Sequence, residues 1–166
     1  DLLVDGEAVA AAPAIGVGLT TGDLTLRRPV VKRSAGAGVV ASGSGVTARL
    51  TLEAGALHDN FGTGLAAQLL GRLAISGTKV CKNKGGANRN ISGTLRLVGG
   101  VYLAGAAPAE QSVSGLSVFE NDGDQVAIGL GSGTWNLSGP SAIGEACRAG
   151  LNAFAGTAWL CAPKSS

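Results

Sequence analysis

The chain has 166 residues and a mass of 16.2 kDa, the size of one domain. Only 14% of its residues are charged against 45% hydrophobic, which excludes an intrinsically disordered polymer, and the apolar stretches are cut by Gly, Thr and charge before they reach membrane-spanning length. With 13 basic and 11 acidic residues the net charge is +2, far below the field of a dedicated nucleic-acid binder.

Residues 1–14 carry apolar side chains without evident partners and read as an N-terminal arm able to add a strand to a neighbour; residues 15–166 read as a single β-rich domain. The absence of Met suggests a sequence that begins after an initiator or leader has been removed. Arg27, Arg28, Lys32 and Arg33 bracket Pro29-Val30-Val31 as a first basic cluster. The Ser/Ala/Gly/Val stretch 34–45 is either a flexible loop or a glycine-bearing strand pair. From Val46 to Leu52, Val46, Ala48, Leu50 and Leu52 alternate with Thr47, Arg49 and Thr51, the clearest strand pattern in the chain.

Phe61, Leu65, Leu69 and Leu73 then recur every four positions, which predicts a short helix over about 61–73 with Thr63 as its N-cap. Lys79, Lys82, Lys84 and Arg89 follow in a Gly/Asn-rich segment around Cys81, a second basic cluster suited to an anion or an acidic neighbour; no aromatic residue interleaves it, so base stacking is not supported. Alternation over Ile91–Val98 and Val101-Tyr102-Leu103 around Gly99-Gly100 predicts a hairpin. A second hairpin is predicted where Val113–Glu120 and Gln125–Leu130 flank Asn121-Asp122-Gly123-Asp124. Pro140 opens a second predicted helix over about 140–154, with Ile143, Cys147, Leu151 and Phe154 on one face, and Thr157–Cys161 returns as a strand.

The fold class expected is therefore mainly β: an antiparallel β-sandwich or open barrel with two short helices. No internal repeat is assigned, because turn glycines and alternation produce resemblances such as Gly-Thr-Leu-Arg-Leu and Gly-Thr-Trp-Asn-Leu by themselves.

Catalytic constellations are scarce. The single histidine, His58, stands beside Asp59 and Asn60 and reads either as a base held by an acid or, more simply, as a polar turn residue. No Gly-x-Ser-x-Gly elbow occurs, the glycine-rich stretches do not match a phosphate cradle, and no Cys-x-x-Cys pair is present to hold zinc. Glu120, Asp122 and Asp124 are the only acidic cluster, and a turn accounts for them better than calcium does. No catalytic, cofactor or metal residue is assigned.

Cys147 and Cys161 are a candidate disulfide across the last helix and strand, with reduced core thiols as the equal alternative. Asn90-Ile91-Ser92 and Asn136-Leu137-Ser138 match the glycosylation pattern, as composition alone allows. Trp135, Trp159 and Tyr102 are the aromatics with polar handles, and packing is their ordinary use.

With so few ionic groups and a mean hydropathy of +0.30, apolar surface is expected to be covered by copies of the chain or by a larger assembly. The function expected is a non-enzymatic structural subunit, such as a virion coat, decoration or fibre component or an extracellular filament subunit, located outside the cell or on a virion. Its contact residues would be Lys79, Lys82, Lys84, Arg89, Arg27 and Arg28. The alternative is a secreted β-sandwich module that binds a glycan or a small anionic ligand through Trp135, Trp159 and Tyr102.

Overall fold

In the computed structural model the alternating segments form strands, but each strand pairs with the equivalent strand of the next turn of the chain. The structure describes residues 1–6, 15–44, 47–91, 94–128, 132, 135, 141–143, 147–148 and 159–161; for 86–96 and beyond 135 it describes backbone only. The first coil runs through β1 (Leu3–Asp5), β2 (Ile15–Leu19) and β3 (Gly22–Arg27), and the second through β4 (Val30–Lys32), β5 (Ala37–Ser42) and β6 (Ala48–Glu53). The third comprises β7 (Ala56–His58), β8 (Leu65–Gln68) and β9 (Arg72–Ser76). The fourth has β10 (Lys79–Cys81), β11 (Gly86–Ile91), β12 (Thr94–Ala104) and β13 (Glu110–Ser114). Then come β14 (Ser117–Phe119), β15 (Asp124–Ile128), β16 (Ser141–Ile143), β17 (Cys147–Arg148) and β18 (Trp159–Cys161).

Three sheets result. Sheet A orders β1-β4-β7-β10-β14-β16-β18, sheet B orders β17-β15-β12-β8-β5-β2 and sheet C orders β13-β9-β6-β3. Within these sheets each strand pairs its neighbours in parallel. The added strand β11 pairs antiparallel with the start of β12. This is a β-solenoid, and Val30, Ala56 and Lys79 in register give coils of 26 and 23 residues.

The core is a set of apolar columns. Val31, Leu57, Val80 and Val118 stack inside sheet A; Val39, Leu65, Val101 and Val126 inside sheet B; Leu26, Leu52, Ile75 and Val113 inside sheet C. All are buried. A parallel coil cannot bury its inner face alone, so stacking neighbours supplies the stabilisation.

Sheets A and B meet at a polar corner inside the molecule. Asn60 donates from its backbone N and its Nδ2 to Asn83 Oδ1 at 3.1 and 2.9 Å, and Asn83 does the same to Asn121 Oδ1 at 3.1 and 2.8 Å. Each Nδ2 also reaches back to a core carbonyl, those of Val31, Leu57 and Val80 at 3.2, 3.1 and 3.0 Å. Ser34 N donates to Asn60 Oδ1 at one end, and Gln125 Oε1 accepts from Asn121 at the other. Buried amides are tolerated because they satisfy one another. The residue before each rung (Arg33, Asp59, Lys82, Glu120) has φ between 54 and 57°, an unusual conformation for side chains of this kind. The ladder and the following strand fix both sides of that kink.

The structure corrects the fold class: the expected antiparallel sandwich or barrel with two helices is replaced by a solenoid, and no helix occurs among the described residues. The four-residue spacing at 61–73 comes from coil geometry. Leu65 and Leu73 point into the core from β8 and β9, whereas Phe61 is 65% exposed and Leu69 occupies a corner with φ 52°. The second expected helix holds β16 and β17 instead, its remaining residues lying outside the described ones; the expected closing strand is present as β18.

Both predicted hairpins are also absent. β12 continues through Gly99-Gly100 with a register shift against β15 between Val98 and Val101, and a Cβ on Gly100 would fall 1.8 Å from the Gln125 carbonyl oxygen, so this glycine serves close approach. Asn121–Asp124 is the corner from β14 in sheet A to β15 in sheet B. The true hairpin joins β11 to β12. The repeat that was not assigned is present as the coil. The expected alternation holds over the described residues 47–52, where Ala48, Leu50 and Leu52 are buried and Thr47 and Arg49 are exposed; Val46 lies outside the described residues. The stretch 34–45 contains the single strand β5. Within the expected arm, Leu3–Asp5 is β1 of the first coil, and 7–14 lie outside the described residues.

Replacing Asn83 by Ala removes the middle rung and leaves Asn60 donors and the Leu57 carbonyl unmet, for an expected loss of about 3 kcal/mol. Gly64→Ala places a Cβ 2.4 Å from Val80 Cγ1 and 2.6 Å from Asn83 Nδ2 and is expected to cost about 2 kcal/mol. Equilibrium denaturation measures both against the exposed control Lys84→Ala, expected to change stability by less than about 0.5 kcal/mol.

Candidate functional site

Stacking brings residues from different coils into outward columns, and these columns set the surface chemistry. At the corner between sheets A and B the positive-φ column reads Arg33, Asp59, Lys82, Glu120, with signs alternating from coil to coil. Lys82 Nζ lies 3.9 Å from Glu120, and Lys84 Nζ lies 3.8 Å from Asp122. In the first basic cluster Arg27 pairs with Glu53 at 3.1 Å, Arg28 with Asp1 at 2.7 Å and Lys32 with Asp5 at 3.1 Å. Arg33 joins Asp5 through both carboxylate oxygens. The second cluster has no acid within its own loop, but the next coil supplies two.

Lys79 is exposed on β10, in register with Ala56 and Ser117. The side chain of Arg89 lies outside the described residues. Arg27 and Arg28 sit at the end of sheet C and the corner after it, so the structure does not merge them with Lys79, Lys82 and Lys84 into one patch. Cys147 lies on β17 in sheet B and Cys161 on β18 in sheet A; their side chains, like those of Trp159, Asn90 and Asn136, are outside the described residues. Glu120 and Asp122 face their lysines and Asn121 belongs to the ladder, and no metal-binding cluster occurs among the described residues.

Asp5 is held by two cations of the second coil. The Arg33 hydrogen bond, helped by Lys32 and opposed by burial, holds it below the ordinary carboxylate range, and the same contact raises the Arg33 guanidinium. On the outer face of sheet A, His58 Nδ1 lies 2.5 Å from Asp59 Oδ2, and Cys81 stands opposite His58 on the next coil. Burial first, then the Asp59 carboxylate, pushes the Cys81 thiol up, which keeps it protonated and poorly nucleophilic.

The outer face of sheet B is apolar and contains a notch. Val40, Ala66 and Tyr102 are adjacent in one column on three successive coils, so a tall ring stands beside two shorter side chains. With Gly36, Gly62, Thr63 and Gln68 they line a cavity of about 290 Å³. Burial pushes the Tyr102 hydroxyl above its ordinary range, so it remains a neutral phenol. Thr63 Oγ1 donates to the Val98 carbonyl at 2.7 Å and Gln68 Nε2 donates to Ser42 Oγ at 2.7 Å. Trp135, the other candidate platform described, is wholly buried in the core. Sequence reasoning found Tyr102 but missed Val40, Ala66 and Gln68, which reach it only through the coil register.

Comparison with known proteins returns no matching family model, no matching curated protein and no matching solved structure.

Because the folded pKa of Asp5 is depressed, its contribution to stability is complete above the ordinary carboxyl value of 3.8 and disappears as pH falls through the lowered folded value. Calorimetric melting between about pH 7 and pH 2 is expected to show an acid-dependent loss that Asp5→Asn removes in part, the variant being already less stable at neutral pH. Identical acid slopes for the two proteins would exclude Asp5 as a source of that loss.

Proposed function

We propose that this chain is a non-catalytic structural subunit that works through protein–protein contacts as a segment of a rod, fibre or shell outside the cell. The observation that carries the reading is the first coil. β1, β2 and β3 are the outermost strands of their three sheets, so three parallel edges end together at one face of the solenoid. Among the described residues nothing pairs with their outward backbone groups. Leu2, Leu3 and Ile15, at 38, 65 and 44% exposure, lie on this same coil and account for half of the exposed large hydrophobics described.

An open edge of this kind templates further pairing. A triple edge at coil spacing is complementary to another solenoid coil, because a single added strand would satisfy only one of the three. The surface favours contact over capture of a soluble ion, since the basic residues described above largely face acids on adjacent coils.

Static light scattering after size exclusion tests this. The protein at about 100 μM is expected to run as a multimer of its 16.2 kDa chain, and Leu3→Lys with Ile15→Lys is expected to return it to the monomer with its circular dichroism unchanged. A wild-type protein that stays monomeric at that concentration overturns the assembly reading.

A further inference from the structure

We propose that the notch beside Tyr102 on the outer face of sheet B binds a ring of a neutral oligosaccharide. This site lies on a lateral face, away from the coil edge, and stands independently of the assembly reading.

The notch is produced by side-chain height. Strands of a sheet are about 4.8 Å apart, so the Val40–Ala66–Tyr102 column crosses about 10 Å of surface, and the small side chain of Ala66 leaves a gap lined by the edge of the Tyr102 ring, which is otherwise buried at 8% exposure. Gly36 and Gly62 extend the floor without side chains of their own. The volume, about 290 Å³, is at the lower limit for small-molecule sites and suits one ring.

The polar groups at the notch specify hydroxyls and not charge. Gln68 uses Nε2 on Ser42, which leaves Gln68 Oε1 to accept and the Ser42 hydroxyl to donate. The phenol of Tyr102 can do both and forms no hydrogen bond among the described residues. No charged side chain lines the notch among the described residues, so neither a carboxylate nor a phosphate would find a counter-ion there. An aromatic wall beside an apolar floor, with amide and hydroxyl groups at one end, matches the apolar C–H face and the equatorial hydroxyls of a neutral sugar. Just before Gly62, the exposed ring of Phe61 offers a second surface for the neighbouring sugar unit.

Isothermal titration with cellohexaose, laminarihexaose, mannohexaose and β-1,4-galactohexaose tests the site, with hexagalacturonate and laurate as charged and apolar probes. At least one neutral hexaose is expected to bind with a Kd of about 0.1–1 mM. Ala66→Trp, which fills the notch, and Tyr102→Ala are each expected to weaken binding by at least about tenfold, and Tyr102→Phe and Gln68→Ala by about threefold, with circular dichroism unchanged. Should Tyr102→Ala fail to fold, the exposed Gln68→Ala and the notch-filling Ala66→Trp decide the matter. Three results overturn the proposal: no neutral hexaose binds at about 5 mM, binding survives Ala66→Trp and Gln68→Ala undiminished, or only hexagalacturonate or laurate binds.

Discussion

The stacked amides of Asn60, Asn83 and Asn121 are the interaction on which this architecture turns. A chain that winds in parallel register places the same kind of residue above itself every 4.7–4.9 Å or so, and a buried polar group then survives only if it can bond to its own copy. Asparagine does this because its Oδ1 accepts from the backbone and side chain below while its Nδ2 donates to the rung above and to a core carbonyl. The corner backbone follows the same course, with Phe61, Lys84 and Asp122 donating to the carbonyls of Ser34, Asn60 and Asn83. At Gly64 and Gly100 the adjoining strand can afford no side chain, since a Cβ there would strike a neighbouring coil. One bonding pattern thus dictates a conformation, a small residue and a register.

The same periodicity constrains charge. Like charges stacked at coil spacing repel; the corner column Arg33, Asp59, Lys82, Glu120 avoids this by alternating sign, whereas on sheet C Arg49 and Arg72 stand in register and each turns to an acid on its other side. Asp23 lies under Arg49, and Arg72 under Glu110, at 3.9 Å, while Asp5 meets Lys32 and Arg33 from the coil above. Exposed pairs of this kind contribute little stability one by one. At the corner column their collective effect is on register, because an offset by one coil there would bring equal charges together. This also explains how a chain with a few clustered cations carries a net charge of only +2: the acids that balance each cluster lie a coil away, not beside it in sequence.

Which features could be read from the residues alone follows from the distance over which each acts. Alternation is local, so the buried face of Ala48, Leu50 and Leu52 was legible. Whether a strand pairs with its sequence neighbour or with a strand 26 residues on is not local, and the turn glycines that suggested hairpins serve equally well as coil corners. A more specific signal was present. Val31, Leu57, Val80 and Val118 are each followed three residues later by Ser34, Asn60, Asn83 and Asn121, and then at the second position by Gly36, Gly62, Gly85 and Gly123. The 38-residue span from Lys79 to Ser117, lengthened by β11 and the start of β12, breaks the period and hides the repeat. The notch was illegible for a related reason: Val40, Ala66 and Tyr102 are separated by 26 and 36 residues.

A solenoid has two kinds of surface, and their physics differs. Its ends carry edge strands, β1, β2 and β3 at one of them, and only another coil has the strand spacing to match all three edges at once. Its lateral faces have satisfied backbones, and their character depends only on the heights and polarity of stacked side chains. A single substitution in a column can therefore open or close a cavity there without disturbing the ladder inside, because outward and inward residues alternate along every strand. Tyr102 illustrates the separation: its neighbours Val101 and Leu103 belong to the central core, while Tyr102 packs on the other side of sheet B in a second buried cluster with Val98, Ala104 and Ala127. Contacts along the axis and recognition on a side can coexist in one chain because the pleat assigns them to different residues.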